Sequence, residues 1–460
     1  MLFDFILILI SSFVTLRRFR LGLGSGLAAT VFFLVLLPTE VRLPTPGALP
    51  ELTAHRILLM LAAWQVFRDR DGDWPISLPG MGLIVLVAII RGCSTLISIS
   101  FLPALKDFLG FILETALFFM VIGKGLRTPD AVRKVAWSTM WALVAVAAIA
   151  TVEKYRGINL AAHFIPGMLD NGREVSATFR HRILLGYSLA MGFPLVLGLW
   201  TLAATKKQKY AANVGMLMLP AACYFANSRG AWAGMALAGM MMAITGSKEL
   251  RRRLALLGVL GLAVLILRPG VLDTINSRWE HTKDTNTLKG KSASYRLELW
   301  RVAYNHLSKS PERFLLGYGG HSTQQMDLAS EFQFGGNAGA LGYTSWDSEY
   351  AVTLMQFGFA GFLAEIFLYI FLAVKCYQAW RAAPLEIQPL IAGCGAAVAV
   401  YLWAMTNVAI FNPQLKFLFW TMIAIPLRSA YIQWNATPAP IDPASAEPDE
   451  QSGLRSAISF

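Results

Sequence analysis

The chain has 460 residues, 55% of them hydrophobic and 15% charged, with a mean hydropathy of +0.51. A soluble domain carries about 25% charge and roughly 45–50% apolar residues, so this composition excludes a water-soluble fold and predicts a multi-pass membrane protein. The net charge of +12 accompanies no nucleic-acid motif and no basic domain, so loop Lys and Arg that set topology are its expected source and nucleic acid is not an expected partner.

The four cysteines (Cys93, Cys223, Cys376, Cys394) lie in or beside apolar segments without CxxC spacing, and the six histidines show no HxxH or HExxH pattern. Neither a disulfide framework nor a metal site is expected, and no cofactor.

A helix needs about 20 apolar residues, sometimes fewer, to cross a bilayer. In chain order, candidate spans lie near 2–16, 21–38, 55–67, 79–99, 108–123, 135–153, 183–204, 211–227, 230–246, 254–267, 347–374, 388–411 and 417–427. They predict an all-α integral membrane protein of about 12–13 transmembrane helices. Arg17, Arg18 and Arg20 follow the first span instead of preceding it, which marks a span and not a cleaved signal peptide.

The loops near 17–20, 68–78, 124–134, 205–209, 247–253 and 375–387 hold 18 Lys and Arg, against four in the alternate short loops 39–54, 101–107, 228–229 and 412–416. The first set is therefore expected to be cytoplasmic, and the longer loops 154–182 and 268–344 extracytoplasmic. The predicted organisation is an N-terminal transmembrane bundle (1–267), an extracytoplasmic loop (268–344), C-terminal transmembrane helices (345–428) and a cytoplasmic tail (429–460). The tail is rich in Pro, Ala and acids, a composition that predicts disorder.

Loops longer than about 12–15 residues tend to be functional or to carry their own structure. Within 268–344, "SYRLELWRVAYNHLSKSP" places Leu297, Trp300, Tyr304 and Leu307 three and four residues apart. This spacing predicts an amphipathic helix, capped by Ser292 or Ser294 and ended by Pro311. A glycine-rich turn at 317–320 and a flexible "EFQFGGNAGALGYTS" follow, before "SWDSEYAVTLMQFGFAGF" enters the membrane.

The order of these pieces is specific. A span ending in "NSRGAWAG" precedes another span and the long loop, which carries "SYRLELW" and "ERFLLGYGG" and closes on a short polar motif running into "FGFAGF". Over about 175–365 the chain resembles the O-antigen ligase/polymerase superfamily of bacterial surface-polysaccharide enzymes. The resemblance implies a GT-C-like helical fold in the bacterial cytoplasmic membrane, with a periplasm-facing site that acts on glycans carried by undecaprenyl diphosphate. The ligase pattern has a His-Asn pair where this chain has Asp347-Ser348, whereas polymerase-like members resemble "WDSEY". A metal-independent polymerase joining lipid-linked repeat units is therefore expected, with a chain-length regulator protein as a further partner. The alternatives are a ligase transferring glycan to lipid A-core or protein, and, from another class, a lipid-linked glycan flippase.

Transfer at an anomeric carbon bearing diphosphate requires positive charge on the leaving group and a base for the acceptor hydroxyl. Arginine suits the first task, because its fixed charge grips phosphate oxygens in pairs. Arg229 and Arg296 are the expected phosphate ligands, and Asp347 the expected base. Arg180 and Arg182 in "ATFRHR" are candidate phosphate clamps, with interfacial snorkelling as the alternative. Arg91, deep in a span, is expected to be functional or paired. Glu349 and His321 are further substrate-side candidates, although an acid at a helix start also favours the helix by itself. Tyr350, Trp346 and Trp300 are candidates for stacking on sugar rings.

Overall fold

The computed structural model describes residues 2–43, 51–69, 78–165, 175–267, 291–326, 328, 331 and 346–432. The expected disordered tail from 433 onward, the first part of the long loop and nearly all of "EFQFGGNAGALGYTS" lie outside these residues.

Every candidate span coincides with a helix. In chain order these are α1 (Leu2–Arg20), α2 (Leu23–Leu36), α3 (Ala54–Arg68), α4 (Met81–Leu96), α5 (Phe101–Phe111), α6 (Phe118–Gly125), α7 (Pro129–Arg156), α8 (Leu160–Phe164), α9 (Arg182–Leu202), α10 (Lys206–Phe225), α11 (Arg229–Thr245) and α12 (Lys248–Leu267). Then come α13 (Lys291–Leu307), α14 (Pro311–Leu316), α15 (Ser322–Gln325), α16 (Glu349–Ala382), α17 (Gln388–Met405) and α18 (Pro413–Ser429). Four of them (α7, α9, α16 and α17) are long and apolar enough to cross a membrane, and α2 and α4 are shorter apolar helices. The one departure from all-α among the described residues is a two-residue antiparallel pairing of 42–43 with 52–53.

Local sequence explains the helix starts. Thr128 precedes Pro129 and accepts from the Ala131 N–H, and Thr205 forms a reciprocal box with Gln208. Each satisfies N–H groups that a helix start leaves open. The expected single span 108–123 is longer, because α5 and α6 are joined through a π-helical turn at Ile112–Leu117. Glu114 in that turn pairs with Arg56 at 3.1 Å.

At the centre stands α9, buried continuously from Leu184 to Trp200. It packs against α17, α10, α11 and α7, so its N-terminal turn is surrounded by the ends of its neighbours. There, α13 and α16 build a second, smaller core from Tyr295, Leu299, Val302, Ala303 and Leu307 against Trp346, Ala351, Val352 and Met355.

That core corrects the expected face of α13. Leu297 and Tyr304 are 74% and 54% exposed, and the buried stripe is 295, 299, 302, 303 and 307 instead. Both stripes have helical spacing, and packing against α16 selects one. Ser292 and Ser294 fall within the helix and not before its start. Pro311 does not end α13. It opens α14, behind a Ser310 side chain that accepts from the Arg313 N–H, because a proline is pre-organised for a first helical position.

Candidate active site

The entrance to α9 is fixed from below by a carboxylate. Buried Glu153, near the end of α7, accepts the N–H groups of Ser176 at 3.2 Å and Ala177 at 2.6 Å. This holds Ala177 in the left-handed region (φ 51°) and delivers Arg180, His181 and Arg182. Arg180 is exposed. His181 caps α9 by accepting from the Ile183 N–H, and Arg182 donates through Nη1 to the Asn227 carbonyl at 3.1 Å.

Asn227 is also left-handed (φ 53°) and turns the chain into α11. Ser228 is the N-cap, and Arg229 is the first helical residue. The next carbonyl, of Gly230, accepts from the Trp403 indole at 2.9 Å, which joins the start of α11 to the end of α17.

Arg296, in the first turns of α13, donates through Nε to the Asp347 carbonyl and through Nη2 to the Asn407 carbonyl, both at 3.2 Å. One guanidinium thus ties α13 to the entrance of α16 and to the turn after α17. Arg182, Arg229 and Arg296 therefore stand on one strip, from Asn227 through Gly230 and Asn407 to Asp347.

Ser348, not Asp347, is the N-cap of α16, and its hydroxyl reaches the Met405 carbonyl at 3.4 Å. Glu349 accepts the Ile410 N–H at 2.7 Å, so it clasps the α17–α18 turn as well as favouring its own helix end. The Tyr350 hydroxyl donates to the Leu402 carbonyl. Trp346 is buried, and Trp300 packs edge-on against Phe362.

The two glycine motifs explain each other. The first two and a half turns of α16 stop at Gly358, whose backbone (φ 64°, ψ −169°) breaks the helix. Its α-carbon lies against Leu315 and that of Gly317 against Gln356, so closely that a Cβ on either would sit 2.4–2.5 Å from backbone atoms. The break leaves helix carbonyls needing donors. Tyr318 N–H donates to Met355 at 3.1 Å, Gly319 N–H to Gln356 at 2.8 Å, and the Ser94 hydroxyl to Gln356 at 2.9 Å. The expected turn is therefore the splint of a broken helix. Burial raises the pKa of the Tyr318 phenol above its usual value.

Arg91, expected to be functional or paired, is paired with Glu365. Its Nε donates to Glu365 of α16 at 2.9 Å, Nη2 makes a second bond to the same carboxylate, and Asp107 lies 4.0 Å away. The rings of Phe111 and Phe357 flank the guanidinium at 4.4 and 4.1 Å. His321, in a left-handed conformation (φ 62°), bonds the Gln324 side chain at 2.9 Å.

Asn227, Trp403 and Asn407 escaped the sequence reading, as did Glu365. Asn407 and Glu365 carried a signal, since each is polar within an apolar stretch. Among the described residues no cluster of three or more His, Cys, Asp or Glu is placed to hold a metal ion.

Residues 214–366 match the O-antigen ligase family. The match covers about a third of the chain and supports its similarity to the O-antigen ligase/polymerase superfamily. The O-antigen ligase domain begins later than the resemblance did, so Arg229, Arg296, His321, Asp347, Glu349 and Tyr350 fall inside it and Arg91, Arg180 and Arg182 outside. No curated protein matches the chain. The matched family implies a membrane glycosyltransferase-like enzyme acting on a lipid-linked polysaccharide.

Proposed function

We propose that the protein is a polysaccharide polymerase of the periplasmic face of the bacterial inner membrane. It transfers a glycan from undecaprenyl diphosphate to a hydroxyl of another lipid-linked repeat unit. The observation that carries this reading is the placement of Arg296, which binds the carbonyls of Asp347 and Asn407 and so brings a guanidinium beside the candidate base.

In this reaction the acceptor oxygen bonds to the anomeric carbon as the bond from that carbon to the diphosphate oxygen breaks. The hydroxyl proton passes to the Asp347 carboxylate, and the electron pair leaves with undecaprenyl diphosphate. Arg229 and Arg296 stabilise the growing negative charge, a role in which pre-oriented cations outperform water because they need no reorganisation. Arg182 and Arg180 hold the outer phosphate or the first sugars. The step needs no metal, and the anomeric configuration inverts.

Arg91 supports the site by fixing α4 to α16 and is not assigned to substrate. Transfer to lipid A-core or protein is the second reading, favoured by the description of the matched family as ligases.

Asp347→Ala and Arg296→Ala are expected to abolish polymer, leave the protein in the membrane and let single repeat units accumulate. Normal chain length in both variants would overturn the site. Purified protein supplied only with a defined lipid-linked repeat unit should lengthen it, and failure to do so, with transfer to lipid A-core instead, would identify a ligase.

A further inference from the structure

We propose that the Tyr187 hydroxyl is a further hydrogen-bond donor to the diphosphate of the lipid-linked glycan, at the N-terminal turn of α11. The inference rests on the reading that this strip binds diphosphate.

Tyr187 lies in the second turn of α9, and its side chain is fully buried. Its oxygen is set against the α-carbon of Gly230, where a Cβ would stand only 2.3 Å away. Glycine at that position lets the phenol reach the first turn of α11. A buried tyrosine O–H ordinarily finds a partner, and an unmade buried hydrogen bond destabilises the fold. This hydroxyl makes none of normal geometry, although it faces the Asn407 amide and lies within Coulombic range of Arg296.

The three neighbours of the oxygen all belong to the strip. Gly230 follows Arg229 at the helix start, where N–H groups and the positive end of the dipole favour an anion. Arg296 bonds the carbonyl of Asn407. The Asn407 side chain is partly exposed, its amide held by the Trp403 carbonyl at 2.9 Å and the Thr406 hydroxyl at 2.6 Å. The Asn407 side chain thus lies beside the hydroxyl and reaches the surface, and the proposal requires that it turn aside for a ligand to meet the oxygen. A phosphate oxygen arriving there meets a neutral donor in a dry setting, where a charge-assisted hydrogen bond is strong.

The test uses Tyr187→Phe, which keeps the ring and removes the oxygen. Full-length purified protein in detergent is titrated with undecaprenyl diphosphate, beside wild type and Arg296→Ala. Tyr187→Phe is expected to bind about tenfold or more weakly, the loss typical of one hydrogen bond to a charged group. Its melting temperature without ligand should be unchanged or higher, because no protein partner is orphaned.

If Arg296→Ala loses binding while Tyr187→Phe binds like wild type, the tyrosine assignment is wrong and the diphosphate reading stands. If wild type and Arg296→Ala bind alike, or wild type does not bind, the diphosphate reading falls and the tyrosine assignment with it. Undiminished affinity with a lowered melting temperature would mean that the hydroxyl serves a buried water, which also overturns the proposal.

Discussion

Arg91 lies between two phenyl rings with the Glu365 carboxylate beside it, whereas Arg296 donates to two backbone carbonyls, those of Asp347 and Asn407. Both are arginines in an apolar chain, and both bridge distant segments. A carboxylate orients a guanidinium through an opposite charge, whereas a backbone carbonyl orients it through a dipole and ties it to the chain itself. The two sets of contacts therefore separate an arginine that staples helix to helix from one that fastens the entrance of α16 to the turn after α17. Gly358 stands between the two, since the chain before it leads to Asp347 and the chain after it carries Glu365.

The sharpest way to break this contrast is to remove Arg91. Arg91→Ala orphans a buried carboxylate and should destabilise the protein by about 3–5 kcal/mol, read as a lower melting midpoint and membrane yield. Arg91→Met combined with Glu365→Leu should recover most of that loss, because apolar replacement of a buried pair is often neutral or better. A stable double variant that makes no polymer would move Arg91 into the site.

Next in size is Gly358→Ala. Its φ and ψ belong to a region essentially reserved for glycine, so about 1–3 kcal/mol of stability should be lost, and activity with it. An unshifted midpoint would show that the splint is not holding the break.

Arg296→Lys keeps the charge but cannot span two carbonyls from a planar fork, and should slow transfer by about tenfold with little change in melting. The smallest effect is expected for Glu349→Gln, whose remaining oxygen still accepts the Ile410 N–H; a loss below about 1 kcal/mol is anticipated. A large loss of activity in that variant would assign its carboxylate to the chemistry.

Apolar length located every helix that the spans predicted, because that property is local and repeats along the chain. Pairing across the chain is not local, and there the sequence was mute. Nothing near Arg91 names Glu365 as its partner, and nothing in "GYGG" names Gly358, which lies about forty residues away. The face of α13 failed for the same reason. Leu297 and Leu299 are equally apolar, and only contact with α16 decides which is buried. For the site, "NSRG" and "SYRLELW" supplied the arginines, but the carbonyls that orient them belong to Asn227, Asp347 and Asn407. Backbone groups carry no signature in sequence.

The splint at Gly358 also makes the direction of the first turns of α16 depend on a docked loop. The carbonyls of Met355 and Gln356 are satisfied by N–H groups of the 318–319 turn, because a helix broken at Gly358 does not supply those donors itself. A chain whose turn had not yet docked would leave them exposed and would gain by closing the break into a straight helix, carrying Asp347 out of reach of Arg296. The position of Asp347 therefore depends on a turn about thirty residues earlier in the chain as well as on its own helix.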